Sequence, residues 1–118
     1  MKNQQKKSQI SKRKNIIRLY KIYFIRHDSS IWGVSWSHPR FGNLLASCGF
    51  DRKIIIWKEN NQKWEKIYEY VEHKNSVNCV SFANHELGLI LVAGSSDGNI
   101  SLHEYQSKYY IVLYIIIF

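Results

Sequence analysis

Three residues in the first half of the chain are the ingredients of a hydrolase. His27, Ser47 and Asp51 would supply a base, a nucleophile and an orienting carboxylate; on suitable geometry that trio activates a serine for acyl transfer. The stretch FGNLLASCGFDRKIIIWK, Phe41 to Lys58, sets Ser47 and Asp51 between two apolar runs. Ser47 lies inside the run LLASCGF, with no strand-to-helix elbow to expose it and no evident oxyanion hole. The second half of the chain carries His73 and Asp97 but lacks a serine at the matching place. A repeated pair that drops its nucleophile suits a scaffold, so the sequence points to no catalytic residues and to no enzyme.

The elements that hold these residues follow from laying the chain against itself. A single shift of 46, the step from His27 to His73, puts Ser30 on Ser76, Val34-Ser35 on Val80-Ser81, Gly42 on Gly88, Leu45 on Leu91, Asp51 on Asp97 and Ile54 on Ile100. Each unit reads as short strands. SIWGVSW, LLASCGF, KIIIWK and KWEKIYEYVE fill the first, broken by SHPRFGN, Asp51-Arg52 and ENNQ. SVNCVSF, GLILVAGSS and NISLHEY fill the second, with a turn at Asp97-Gly98. Branched and aromatic residues in short runs between Gly, Asn and Asp are strand signals. Leu44–Ala46 and Ile54–Trp57 are apolar without alternation, which predicts strands covered on both faces. Four strands in a period of this size mark the blade of a WD-repeat propeller.

Within such a blade the trio acquires a structural meaning. WD-repeat blades generally carry a hydrogen-bonded His, Ser, Asp and Trp, and His27, Ser47, Asp51 and Trp57 fill those four places by resemblance. In the second unit His73 and Asp97 are kept, while Ala93 and His103 stand where serine and tryptophan are expected. That network is expected to be incomplete and its blade softer. His38 and His85 fall in turns as capping or solvent-facing residues. Trp32, Trp36, Trp64 and the tyrosines are assigned to blade packing, with some left for a rim.

Charge is uneven. Residues 1–26 hold nine of the 17 Lys and Arg and none of the nine Asp and Glu. This leader is expected to be disordered and solvated. The alternative is a nucleic-acid-binding module using the basic N-terminal tail, although no RNA-binding motif accompanies it and the rest of the chain is near neutral. Cys48 and Cys79 stand apart with no C-x-x-C, so neither a metal site nor a disulfide framework is expected, and no cofactor is implied. The run YYIVLYIIIF, Tyr109 to Phe118, is shorter than the roughly 20 residues of a spanning helix. It reads as an apolar, β-prone, aggregation-prone end.

The turns are more specific. VSWSHPRFGNLLASCGFD, IIWKENN with a tryptophan following, SVNCVSF and HELGLILVAGSSDG resemble the Sec-thirteen family over His27 to about Tyr105. That family is the small WD-repeat subunit of the COPII outer coat and of the nuclear pore Y complex. The resemblance implies a scaffold in ER-to-Golgi transport and pore assembly. Its implied partners are the large helical COPII outer-coat subunit and a nucleoporin of the Y complex. It implies no small-molecule substrate, and membrane contact only through the coat. The implied places are the cytoplasmic face of the ER with its COPII vesicles and the nuclear pore complex. Family members form an open six-bladed propeller, and the two units here look like its second and third blades. Two departures stand out: Arg26 replaces a glycine before His27, and Asn84 stands where proline is favoured.

The expected architecture is therefore all-β: two four-stranded WD-repeat blades of an incomplete propeller behind a disordered basic tail. Residues 1–15 are the leader and 16–26 an outer strand of a preceding blade. Residues 27–72 are the first blade, 73–106 a partial second blade, and 107–118 an apolar C-terminal tail. Two blades cannot close a ring, and repeat folds need about three units for stability. Alone, the chain is expected to be marginal or held in a larger assembly.

Overall fold

The structure, a computed structural model, describes residues 27–106 in full and the backbone alone of residues 109–117. The expected leader and the outer strand expected over 16–26 lie outside those residues. Two sheets follow one another. The first is β1 (Ile31–Trp36), β2 (Leu44–Gly49), β3 (Ile54–Asn60) and β4 (Lys63–Tyr70). The second is β5 (Val77–Phe82), β6 (Ile90–Ser95), β7 (Asn99–Gln106) and β8 (Tyr109–Ile117). Each is a four-stranded antiparallel meander with its strands in sequence order. Among the described residues no helix is long and apolar enough to cross a membrane.

The repeat in the sequence is a repeat in the backbone. β1 and β5 occupy matching positions, as do the 3-10 turns at Pro39–Phe41 and His85–Leu87 and the strands β2 and β6. Even the irregularities recur. The first pair of each sheet shifts register between Ile31 and Gly33 and between Val77 and Cys79. The outer pair shifts at Ile56/Trp57 and at Leu102/His103. Such bulges sharpen twist and bend a strand, and the two sheets carry them at matching places.

The segment expected to be a tail is instead the fourth strand of the second sheet. β8 pairs with β7 from Gln106↔Tyr109 to Asn99↔Ile117. An outer edge of unpaired backbone groups invites a strand, and a run rich in Ile, Val and Tyr is built to be one. The offset that aligns the other elements takes Lys63, where β4 starts, to Tyr109, where β8 starts.

Turns obey local chemistry. Asn61 and Gln62, both at positive φ (52° and 66°), join β3 to β4, the paired left-handed conformation of a type I′ hairpin. Arg52 takes φ 70° where the second sheet has Gly98 at 87°. The 3-10 turns are capped alike: His38 Nδ1 accepts from the Arg40 amide and Asn84 Oδ1 from the Glu86 amide. Asn84 thus supplies by its side chain what a proline would supply by stiffness. The two histidines of these turns stack, with ring centroids 3.8 Å apart.

The core lies between the sheets. Leu44, Ala46, Cys48, Ile54, Ile56 and Tyr70 present one face of the first sheet to Val77, Val80, Leu91 and Ala93 of the second. Leu45, Ile55, Trp57 and Trp64 form a second cluster on the opposite face of the first sheet, against Ile31 and Trp36. β2 is accordingly buried along its whole length, as its unbroken apolar run requires. Trp32 is one of the aromatics that fall to the rim and not to the packing: it sits in the β1 bulge and is 57% exposed.

The far face of the second sheet is treated differently. Ile90, Val92, Ile100 and Leu102 occupy the places of Leu44, Ala46, Ile54 and Ile56, yet are only half-buried. Cys79 is exposed there, its Sγ 3.1 Å from where a Cβ on Gly94 would stand. Cys48 is buried between the sheets, and burial, with Cys79 nearby, pushes its thiol up to about 12. A thiol reagent at neutral pH is expected to modify Cys79 at the rate of an open thiol. Cys48 should resist until the protein unfolds, as peptide mass spectrometry would show; equal labelling would mean that the sheets do not pack.

Candidate functional site

His27 enters just before β1, Ser47 lies on β2, Asp51 in the β2–β3 turn and Trp57 on β3. The structure brings all four together. His27 Nδ1 is 2.8 Å from Asp51 Oδ2, and His27 Nε2 is 2.8 Å from Ser47 Oγ. The Trp57 indole donates to Ser47 Oγ at 2.9 Å. For a neutral His27 imidazole the proton order follows by elimination. Asp51 only accepts, so His27 carries its proton on Nδ1. Nε2 then accepts from the Ser47 hydroxyl, whose oxygen accepts from Trp57. Asp51 also accepts from the amides of Asp28 and Lys53, which closes the turn. Gly49 makes room for this: a Cβ there would lie 2.5 Å from the Ser30 carbonyl and close to Asp51 and His27.

The network occupies the serine fully. Ser47 is 0% exposed, and its hydroxyl is committed to His27 on one side and Trp57 on the other. A nucleophile must be open to its substrate, and this oxygen is buried.

In the second sheet the expected gap is closed. His73 Nδ1 is 2.9 Å from Asp97 Oδ2, and His73 Nε2 is 2.8 Å from Ser101 Oγ. Ser101 lies on β7, not on β6 where serine was sought. Ser47 and Ile55 face each other in the β2–β3 register, and Ala93 and Ser101 face each other in the β6–β7 register. The hydroxyl has changed strands within one cross-strand pair and kept its distance to the histidine. The second network is therefore complete, and the softer blade expected from Ala93 does not follow.

The tryptophan place is also filled in a new way. His103 Nε2 is 2.8 Å from Ser101 Oγ, and its Nδ1 is 2.7 Å from the Tyr68 hydroxyl on β4 of the first sheet. Where Trp57 ends the first network, His103 carries the second across to the neighbouring sheet. Burial, then the neighbouring His73, push His103 down to about 4. Burial, then Tyr70, push the Tyr68 phenol up to about 12. Both stay neutral near pH 7, which fits a phenol donating to an imidazole. Burial alone would raise Asp97, but donors from Lys74, His73, Asn99 and Ser95 outweigh it and bring the carboxyl to about 2. Asp97 is therefore a carboxylate, and His73 Nδ1–H donates to it.

Ser101, His103 and Tyr68 were not anticipated as network members. The signal for Ser101 was its place two residues before the tryptophan position; Tyr68 had none, since its partner lies in the other repeat. Among the described residues no three His, Cys, Asp or Glu side chains gather as a metal site.

Two comparisons bear on the whole chain. The model of the family "WD domain, G-beta repeat" matches residues 18–58 and 64–104. The protein SEC13 homolog of Drosophila melanogaster is 49% identical over 84 residues, covering 70% of this chain and 24% of that protein. The protein transport protein sec13 of Aspergillus oryzae is 40% identical over 91 residues, 70% of this chain and 31% of that protein. The protein transport protein SEC13-2 of Candida glabrata is 48% identical over 83 residues, 68% of this chain and 27% of that protein. The chain thus spans about a quarter to a third of the length of these relatives.

Proposed function

Because the chain belongs to the WD-repeat family, and its repeats are of the SEC13 kind, we propose that it is a two-blade unit of a non-catalytic scaffold in vesicle-mediated protein transport. It acts by protein–protein contact. The polar networks serve as the pins of that scaffold: each ties the entry loop of a blade to a turn and two strands, and so holds the register that presents the blade faces.

The observation that carries this reading is the unequal burial of two equivalent faces. Leu44, Ala46, Ile54 and Ile56 are covered by the next sheet, while Ile90, Val92, Ile100 and Leu102 are only half-covered. A stack of sheets that ends on an apolar face is made to be continued by another sheet. The finer reading, supported by the resemblance of the turns, places the scaffold in the COPII outer coat with the large helical subunit as partner, and at the nuclear pore with a nucleoporin of the Y complex.

Co-purification of the tagged chain with the coat tests this. The expected result is retention with the helical outer-coat subunit, unchanged by nuclease. Recovery with nucleic acid instead, weakening steeply with salt and lost on deleting residues 1–26, would overturn it in favour of the basic-tail alternative.

A further inference from the structure

Among the described residues the second network crosses from one sheet to the other, and the first does not. The difference rests on one residue. Trp57 has a single N–H, and gives it to Ser47. His103, at the matching place, has a nitrogen on each side of its ring. Nε2 joins Ser101 and Nδ1 joins Tyr68. The result is a continuous run from one sheet to the other: Tyr68, His103, Ser101, His73, Asp97.

We propose that Tyr68 and His103 form a proton-sensitive latch between the two blades. The run has one consistent proton order. The Tyr68 hydroxyl donates to His103 Nδ1, His103 Nε2–H donates to Ser101, the Ser101 hydroxyl donates to His73 Nε2, and His73 Nδ1–H donates to Asp97. A proton added to His103 Nδ1 reverses that bond: Nδ1–H then donates to the phenol oxygen, and the Tyr68 proton must turn away from the ring. It also places a cation in a pocket where, among the described residues, no carboxylate touches the ring. Among the described residues the groups that face the His103 ring are Tyr68 and Tyr70 of β4, the latter edge-on at 4.7 Å, with Ser101 beside it and His73 beyond. On β6 its register partner is Leu91, and on β8 it is Val112. Asp97 lies at the far end of the run, already committed to His73 and two amides.

The direction of the pH effect follows. The closed state holds His103 neutral down to about 4, whereas an imidazole released to water takes up a proton near 6.5. Closure is therefore fully favoured above that value and is lost as pH falls between the two. Each unit in the window shifts opening toward tenfold. Acidity on the order of an endosome's would loosen the contact between the blades.

Cys48, buried between the sheets, is the reporter. In the full chain with Cys79→Ser, the labelling of Cys48 by a disulfide reagent active in acid is measured from pH 7 to 4.5, relative to the same chain in denaturant. Opening is expected to rise roughly fiftyfold across that range, and the rise should be markedly smaller in His103→Leu. The other histidines are common to both proteins, so the difference between the profiles belongs to position 103. Tyr68→Phe should raise opening about fivefold at pH 7, the effect of one neutral hydrogen bond. Nitrogen-15 spectra of the unsubstituted chain at pH 5.5 give a second readout, with neutral His103 protonated on Nε2 expected. A flat profile, equal profiles in parent and His103→Leu, or a cationic His103 at pH 5.5 would each overturn the latch.

Discussion

Replacing Ser101 by isoleucine is expected to destabilise the protein by about 2–5 kcal/mol, and adding Ala93→Ser is expected to restore at least half of the loss. Ser101 is fully buried and stands between two imidazoles, 2.8 Å from each. Isoleucine leaves the acceptor of His73 and the donor of His103 unsatisfied, and each buried orphan costs about 1–3 kcal/mol. Ala93 is the cross-strand neighbour of Ser101. With serine at 93 and isoleucine at 101, the pair becomes what the first blade has at Ser47 and Ile55, where the histidine finds its hydroxyl at the same 2.8 Å. The two substitutions should therefore couple favourably by at least about 1 kcal/mol in a double-mutant cycle, read from urea midpoints. Additive losses would show that the hydroxyl cannot change strands, and that the equivalence of the two networks is only apparent.

The same device appears a second time, away from the polar network. Gly33 faces Cys48 across β1 and β2, and Cys79 faces Gly94 across β5 and β6. Small and large residues have traded strands, and the volume of the pair is kept. Close-packed interiors tolerate such exchanges because they respond to what fills a space, not to which strand delivers it.

This explains what could be foreseen. The repeat, the strands and the first network were legible because each is written along the chain: unbroken apolar runs for strands covered on both faces, and His27, Ser47, Asp51 and Trp57 at places that one blade assigns. The second network was not, because its evidence is written across the chain. Ala93 looks like a missing serine until the β6–β7 register puts Ser101 beside it. His103 looks like a lost tryptophan until packing of the sheets brings Tyr68, 35 residues away, to its ring. β8 was a different case. Its run reads as β-prone, but its place in the second sheet shows only when the 46-residue offset is carried from Lys63 to Tyr109. Trp32 looked like core because it is large and apolar. The β1 bulge turns it outward, and bulges leave little trace in composition.

The largest single effect is expected at Trp57. Trp57→Ala should cost about 3–5 kcal/mol, the usual loss for a large buried aromatic. A domain of this size has only about 5–15 kcal/mol to lose, so much of the protein should be unfolded at 37 °C. Trp57 is 0% exposed, packs with Leu45, Ile55 and Trp64, and gives its indole proton to Ser47. Trp57→Phe separates these roles. Phenylalanine keeps most of the volume but donates nothing, so the Ser47 oxygen loses its second partner while its hydroxyl still serves His27. That loss alone is worth about 1–2 kcal/mol. The expected order in urea midpoints, at constant slope, is native above Trp57→Phe, with Trp57→Ala well below both. If phenylalanine cost as much as alanine, the indole proton and not the packing would be holding the blade. The ring would then be a hydrogen-bond donor that happens to be large, and the replacement of tryptophan by His103 in the second blade would be a substitution of like for like.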